Sequence, residues 1–326
     1  MKRFGLALCL MVCVGGRGEV LLPDPSIFRD GGTYYLTGTE HQDPKGRYVF
    51  PMLQSQDLAD WRPAATGYPH GKALDKTTAF GTTCLWAPQI FKYHDRYYYA
   101  YCANFRLALA SANRLADGFT AFVDFPAKKG QIDPFVFVDD DGRAYLYCAD
   151  WDLGGISGAA LSDDLRKVQG AAVVCVRNDK PWERLPLEPC YVELNAKAHE
   201  TYNASDWVVE GPTVLKRHGS YVLFYSANDF RSPDYCVCAA VASSPLGPWR
   251  KVQNGPVLGR ADTGFNGTGH GDVFFKPDGS MWYVFHTHNS AIRIHPRRTG
   301  MIRLVETVGS DGTPRYAADR ESLTLF

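Results

Sequence analysis

One pattern of residues recurs five times along the chain and constrains the fold more than any other feature. Each copy has a short apolar segment beside a proline or glycine, then a polar turn, then a second segment rich in aromatic residues. Alternating segments around turns such as Asp-Gly or His-Gly predict β-hairpins. The five copies begin at Asp24, Trp86, Asp133, Glu210 and His270.

The spacing of the copies indicates how the hairpins are built into a domain. The copies begin 47 to 77 residues apart, and most are followed by a third segment that ends in a turn, as at Trp61 and Trp249. Repeats of this size are typical of four-stranded propeller blades, which need about 40–50 residues plus loops. We therefore predict an all-β fold, a five-bladed β-propeller that forms a single domain over residues 19–326. The longest interval holds an insertion at about 177–207, with a short helix predicted around 194–200.

Composition excludes some classes of function. The 35 Lys and Arg residues balance 35 Asp and Glu residues, so the formal net charge is zero. A protein that binds nucleic acid without sequence preference needs an excess of basic residues, so we expect no nucleic-acid partner. Hydrophobic residues make up 45% of the chain, which is enough for a large core.

The N-terminus has the pattern of a secretory signal. A basic start precedes an apolar run from Phe4 to Val14 and a glycine-rich exit. We predict a signal peptide over residues 1–18, cleaved near Gly18, and a secreted or periplasmic protein. The run is shorter than the ~20 residues that cross a bilayer, so we expect no membrane-spanning segment. An apolar first strand is the alternative, and a lipid-anchored form through Cys13 is less favoured.

Seven cysteines lie beyond this segment and show no spacing typical of metal ligands. Cys236 and Cys238 are two residues apart in an alternating stretch, so we expect them to share one face of a strand. We interpret all seven as structural, with at most one disulfide among them. They are Cys84, Cys102, Cys148, Cys175, Cys190, Cys236 and Cys238.

Three of the five copies begin with a carboxylate. Asp24, Asp133 and Glu210 each stand directly before a Pro or Gly-Pro. Asp-Pro also initiates ordinary turns, but three acids at matching places in a propeller would converge on its central channel. Such a group suits cleavage of a glycosidic bond, in which one carboxyl protonates the leaving oxygen and another activates water or attacks carbon. A third carboxyl can raise the pKa of the acid by like-charge repulsion.

With these residues the chain resembles the family 43 glycoside hydrolases, five-bladed propeller enzymes that act mostly on polysaccharides containing arabinose and xylose. The resemblance covers about residues 20–305. It implies an inverting mechanism with Asp24 as general base, Glu210 as general acid and Asp133 tuning the pKa of Glu210 and orienting it. Inversion requires a base–acid separation of ~6.5–9.5 Å. The matching stretches are Asp24-Pro25-Ser26-Ile27, Trp86-Ala87-Pro88-Gln89-Ile90, Ile132-Asp133-Pro134, Glu210-Gly211-Pro212 and Gly267-Thr268-Gly269-His270.

The resemblance also implies roles for three other positions. Trp86 matches an aromatic residue that lines the channel and packs against a sugar, although a place in the blade core is equally consistent. Arg298 resembles the arginine of the last blade that reaches the substrate, with Arg297 as its rival. His270 resembles a histidine near the channel axis that lies by a calcium ion or a water cluster in many members. We therefore expect no required cofactor and leave open a structural Ca²⁺ beside His270.

Aromatic residues that follow the hairpins are candidates for binding sugars. Phe105, Trp151 and Phe230 come after the hairpins of the second, third and fourth copies, where loops reach the face with the site. The alternative for each is an ordinary surface loop.

The favoured function is hydrolysis of terminal α-L-arabinofuranosyl residues from plant oligosaccharides or polysaccharides. The insertion before Glu210 and the loop at 72–83 would close one end of the channel, which favours exo action over an endo-arabinanase. A β-xylosidase, a related hydrolase of fructans or galactans, and a non-catalytic carbohydrate-binding propeller are the alternatives. The sequence does not determine the oligomeric state.

Overall fold

The structure is a computed structural model that describes residues 19–39, 41–42, 48–68, 71–74, 80–81, 83–123, 125, 128–187 and 208–326. In it the chain forms five antiparallel sheets. The first strand of each sheet contacts the first strands of its two neighbours, and the last sheet contacts the first. The five sheets are therefore blades around one axis, and the prediction of an all-β, five-bladed propeller is confirmed.

The blades follow one another in chain order. Blade 1 contains β1 (Ser26–Asp30), β2 (Thr33–Thr37), β3 (His41–Gln42), β4 (Tyr48–Ser55), β5 (Arg62–Pro63) and β6 (Lys72–Leu74), of which β3, β5 and β6 all pair with β4. Blade 2 contains β7 (Trp86–Tyr93), β8 (Arg96–Ala103), β9 (Arg106–Ala112) and β10 (Ala121–Val123). Blade 3 contains β11 (Gln131–Val138), β12 (Ala144–Asp150), β13 (Gly155–Leu161) and β14 (Val168–Val176).

The last two blades complete the ring. Blade 4 contains β15 (Val209–Arg217), β16 (Ser220–Ala227), β17 (Cys236–Ala242) and β18 (Arg250–Lys251). Blade 5 contains β19 (Gly269–Phe275), β20 (Met281–Thr287), β21 (Arg298–Val308) and β22 (Pro314–Leu325). The described helical segments are short: two 3-10 turns, Leu115–Asp117 and Pro181–Glu183, and one α-helical turn, Arg260–Thr263.

The turn residues produce the hairpins that the sequence predicts. In blade 4, Arg217 pairs with Ser220, so only His218 and Gly219 join the two strands. Both have positive φ, 49° and 78°, which a two-residue type I′ turn requires.

The core is divided among the five junctions between neighbouring blades. Each junction holds its own cluster of buried apolar side chains. The second strands supply fully buried tyrosines, which explains the Tyr-rich segments: Tyr99, Tyr147, Tyr225 and Tyr283. Rings of this size bury about 150–250 Å² each and dominate the packing.

The ring of blades is closed by backbone hydrogen bonds that attach the segment near residue 20 and the segment at residue 326 to blade 5. The backbone N–H of Val20 donates to the carbonyl of Phe326, and the N–H of Phe326 donates to Thr299, each at 3.0 Å. The side-chain hydroxyl of Thr299 accepts from the N–H of Leu22 at 2.8 Å. This clamp fixes the backbone two residues before Asp24.

Several predictions concern residues that are only partly described. Five described cysteines, Cys102, Cys148, Cys175, Cys236 and Cys238, are free, buried thiols, and the last two both lie on β17. Cys190, the predicted signal peptide at 1–18 and the predicted helix at 194–200 lie outside the described residues. So do much of the insertion and half of the loop at 72–83. Within the described part, no helix is long and apolar enough to cross a bilayer.

Candidate active site

The same backbone bend recurs at the channel end of every first strand. Asp24, Ala87, Asp133, Gly211 and His270 all have a positive φ, between 40° and 58°. Each precedes a proline or glycine, and all five line one narrow cavity on the axis, with about 30 Å³ of room. This conformation costs a residue other than glycine about 1–2 kcal/mol, and such strain is concentrated at functional sites.

The sequence predicts that the three acids occupy matching positions, and the location of this bend shows that only two of them do. Asp24 and Asp133 occupy matching positions, but the third match is Gly211, and Glu210 lies one residue earlier. A Cβ at position 211 would lie 2.7 Å from the ring of His270. That position therefore requires glycine, and blade 4 carries its acid on the preceding residue.

Asp24 is surrounded by groups that stabilise its ionised form. Arg297 Nη1 donates to Oδ1 at 3.0 Å, and the Thr39 hydroxyl donates to Oδ2 at 2.5 Å. His286 Nδ1 and His270 Nδ1 lie 3.2 and 3.3 Å from Oδ1. Burial opposes ionisation, but Arg297 and the two histidines outweigh it and hold the pKa of Asp24 well below its usual range. Asp24 is therefore a carboxylate.

The pKa values of Asp133 and Glu210 are shifted in the opposite direction. Burial, with the negative charges of Glu210 and Asp24, raises the pKa of Asp133 well above its usual value. Burial also raises the pKa of Glu210 to about 7, although the Tyr235 hydroxyl donates to its Oε1 at 2.7 Å. Asp133 Oδ2 accepts the backbone N–H of Gly211 at 3.1 Å, which links the two acids.

His270 lies between the two aspartates. Its Nε2 is 4.0 Å from Asp133 Oδ2, and its backbone N–H donates to the Ser226 hydroxyl at 2.9 Å. Burial lowers the pKa of His270, although the negative charge of Asp24 opposes this shift. One ligand atom each from His270, Asp133 and Glu210 lie within 4.8 Å of one another, close enough to hold a metal ion. Calcium prefers oxygen ligands, and a Ca²⁺ ion here stays a prediction.

The structure places Arg297, and not Arg298, in the site. Arg298 forms an ion pair with Glu19 and lies over the ring of Phe265, away from the acids. Adjacent residues of an extended chain project to opposite sides, so only one of the two can reach Asp24. Arg297, the rival of Arg298 in the sequence analysis, therefore lies beside Asp24, whereas Arg298 lies away from the acids.

The predicted aromatic residues of blades 2 and 3 form one continuous strip. The ring of Trp86 meets that of Phe105 edge-on at 5.3 Å, and Phe105 meets Trp151 at 5.7 Å. Trp86 packs on the core beside Cys102, whereas Trp151 is 46% exposed. The strip leads from the blade core to the surface.

Phe230 lies elsewhere, with the Arg297 guanidinium 5.0 Å from its ring centre.

An ionised Asp24, a protonated Glu210 and a third buried acid in one channel form an acid–base site. The model of the glycosyl hydrolases family 43 matches residues 18–314. This chain belongs to glycosyl hydrolase family 43. It is thus a glycoside hydrolase whose substrate is a carbohydrate, as the sequence predicted.

Known relatives of this family 43 chain differ in their activities. An endo-1,4-β-xylanase structure from Bacteroides thetaiotaomicron is 30% identical with a TM-score of 0.77, covering 92% of this chain and 95% of that one. The β-D-galactofuranosidase xynD of Aspergillus niger is 28% identical, over 80% of this chain and 72% of its own length. Xylosidase/arabinosidase 43B of Humicola insolens is 23% identical, over 80% of this chain but only 46% of its own length.

Sequence reasoning missed the residues that support the acids of this family 43 site. Tyr235, His286 and Thr39 come from three separate strand ends and carry no motif.

A further buried acid, Asp272, lies two residues beyond His270 in the channel and accepts from the Ser26 hydroxyl at 2.7 Å. The two-residue alternation of a strand that lines a channel was the one available signal for Asp272.

Proposed function

We propose that this family 43 protein is an inverting, exo-acting α-L-arabinofuranosidase that trims plant oligosaccharides or polysaccharides. The observation that carries the acid–base part is the opposite protonation of Asp24 and Glu210 within one buried site. Environments that push two pKa values apart assign the acid and the base.

The reaction follows from these protonation states. Glu210 gives its proton to the glycosidic oxygen while the bond from that oxygen to the anomeric carbon breaks. Asp24 takes a proton from the water that attacks the same carbon from the opposite face. Burial and the negative charge of Asp24 keep the pKa of Glu210 high, and Asp133 orients the acid by accepting the Gly211 amide, which fixes the backbone that carries Glu210.

Arg297 supports both the base and the substrate. Its positive charge keeps Asp24 ionised and ready to accept a proton. Its Nε is buried and has no hydrogen-bond partner among the described residues. A buried donor without a partner is costly, so a displacement of the Arg297 side chain that lets a sugar hydroxyl reach Nε would be favoured.

The named activities of relatives favour pentoses and furanosides. A relative acts on β-D-galactofuranosides and another is a xylosidase/arabinosidase. An α-L-arabinofuranoside has the ring configuration of a β-D-galactofuranoside and lacks one exocyclic carbon. β-Xylosidase activity is the second candidate, because further relatives carry that name.

The aromatic strip supports a substrate longer than one sugar. Phe105 and the half-exposed Trp151 continue outward from Trp86, and aromatic faces pack against the C–H faces of sugars. We propose that they bind residues beyond the cleaved bond. The N-terminal pattern supports secretion or periplasmic export.

A substrate panel tests the proposed specificity. The purified protein is assayed with nitrophenyl α-L-arabinofuranoside, β-D-xylopyranoside and β-D-galactofuranoside, and with arabino- and xylo-oligosaccharides. We expect the highest kcat/KM on the arabinofuranoside and single arabinose units as the only product. A higher kcat/KM on the xyloside would favour β-xylosidase activity over arabinofuranosidase activity. Release of longer fragments would contradict exo action. The Glu210→Gln variant, expected to lose at least about 10²-fold on oligosaccharides, excludes a contaminating hydrolase.

A further inference from the structure

We propose that Tyr235 is a positioning residue that determines which oxygen of Glu210 delivers the catalytic proton. The inference rests on the proposed function, in which Glu210 is the general acid. It concerns a side chain that no motif marks and that does not contact the cleaved bond.

The hydrogen bond between the two side chains has a defined direction. The Tyr235 hydroxyl lies 2.7 Å from Glu210 Oε1 and donates to it. An oxygen that accepts such a bond is the poorer place for the proton of a carboxylic acid. The acid proton of Glu210 is therefore held on Oε2, which leaves that oxygen to face the leaving group.

The ring of Tyr235 is itself fixed by its surroundings. Tyr235 is fully buried, and its backbone N–H donates to the Ser232 carbonyl at 3.2 Å. A Cβ on Gly269 would lie 2.6 Å from this ring, so the glycine leaves just the space that the ring fills. The hydroxyl therefore has little freedom to move away from Glu210.

The same ring connects the acid to the base. Tyr235 stacks on His286, with ring centres 5.7 Å apart and planes inclined by 14°. His286 Nδ1 is 3.2 Å from Asp24 Oδ1. Tyr235 thus lies between blades 4 and 5 in contact with Glu210 and with the support of Asp24, and it fixes the placement of one relative to the other.

The Tyr235→Phe variant tests this role, because it removes the hydroxyl and keeps the ring. Two substrates with the same sugar are compared: an oligosaccharide, whose leaving group needs protonation, and a 2-chloro-4-nitrophenyl glycoside, whose leaving group needs almost none. We expect kcat to fall about 10- to 100-fold on the oligosaccharide with KM little changed, and less than about 3-fold on the aryl glycoside. A residue that only stabilises the fold would lower both equally.

Two variants are measured alongside it. Tyr283→Phe is the matched control, because Tyr283 is a fully buried tyrosine of blade 5 whose hydroxyl has no partner among the described residues. It should leave both substrates unchanged. Gly269→Ala displaces the Tyr235 ring while keeping its hydroxyl, and it should reproduce the selective loss if Tyr235→Phe folds poorly.

The outcomes separate this inference from the proposed function. Equal losses on both substrates, or no loss, in Tyr235→Phe would overturn the role of Tyr235. Glu210→Gln tests the acid itself: if it too loses equally on both substrates, the proposed function fails. A selective loss in Glu210→Gln without one in Tyr235→Phe leaves the acid in place and overturns the inference alone.

Discussion

Single residues set the protonation states on which the account depends. Asp24 and Asp133 were predictable, because Asp-Pro marks a strand entrance and the repeat brings such entrances together. The role of Arg297 was not predictable, because the sequence of two adjacent arginines does not indicate which side chain lies in the channel. Tyr235 and His286 were not either, because their roles arise from contacts between different blades.

The alkaline side of the pH profile tests Glu210. Its pKa is raised to about 7 by burial, so the acid is protonated below that pH and ionised above it. We expect kcat to fall as the pH rises through about 7, tenfold per pH unit beyond the midpoint. Rates measured from pH 4 to 9 check this, and a profile flat to pH 9 would argue against Glu210 as the acid.

The acidic side tests Arg297. Replacing Arg297 with Met removes the charge that keeps the pKa of Asp24 low, so that pKa rises. We expect the acidic limb to move to higher pH and kcat to fall at least about 10-fold. Arg298→Met is the matched control, because Arg298 pairs with Glu19 outside the site. Equal effects of the two substitutions would contradict the assignment of Arg297.

Elements orient these residues, and the insertion before blade 4 shows how. Its Pro181–Glu183 turn places Glu183, which is fully buried, against the Tyr225 hydroxyl at 2.6 Å and Lys251 at 2.5 Å. The sequence predicted an insertion here, but no local pattern indicates a buried acid anchored to two strands of blade 4.

Removing that anchor should be costly. Glu183→Ala leaves the buried Tyr225 hydroxyl without its acceptor and removes one of the partners of Lys251, which keeps Asp179. A buried group that loses its hydrogen-bond partner costs about 1–3 kcal/mol. Denaturant unfolding measures the loss. Arg114→Ala, at an exposed pair with Asp117, should cause no measurable change. A Glu183 variant as stable as the wild type would show that the anchor is dispensable.

The whole molecule depends on closing the ring. The number of blades followed from the repeat, but the closure did not, because residues near 20 and 326 carry no pairing signal in sequence. Phe326 also packs on Trp61, with ring centres 5.3 Å apart. Since Thr299 binds both Phe326 and the backbone just before Asp24, stability and activity should be coupled at this point.

Phe326→Ala tests that coupling. Loss of its half-buried ring should lower the free energy of unfolding by about 1–3 kcal/mol and reduce kcat through displacement of Asp24. Val308→Ala, at a position of blade 5 that is 69% exposed, is the control and should change neither. A Phe326 variant that unfolds earlier but keeps full kcat would contradict the coupling.

The stereochemistry of hydrolysis distinguishes a carboxylate that activates water from one that attacks the sugar. Proton NMR of the reaction with an α-L-arabinofuranosyl oligosaccharide records the anomer that is released before mutarotation. Asp24 acting as a base on water predicts β-arabinofuranose as the first product. α-Arabinofuranose as the first product would mean that a carboxylate attacks the sugar itself, and it would contradict the roles assigned to Asp24 and Glu210.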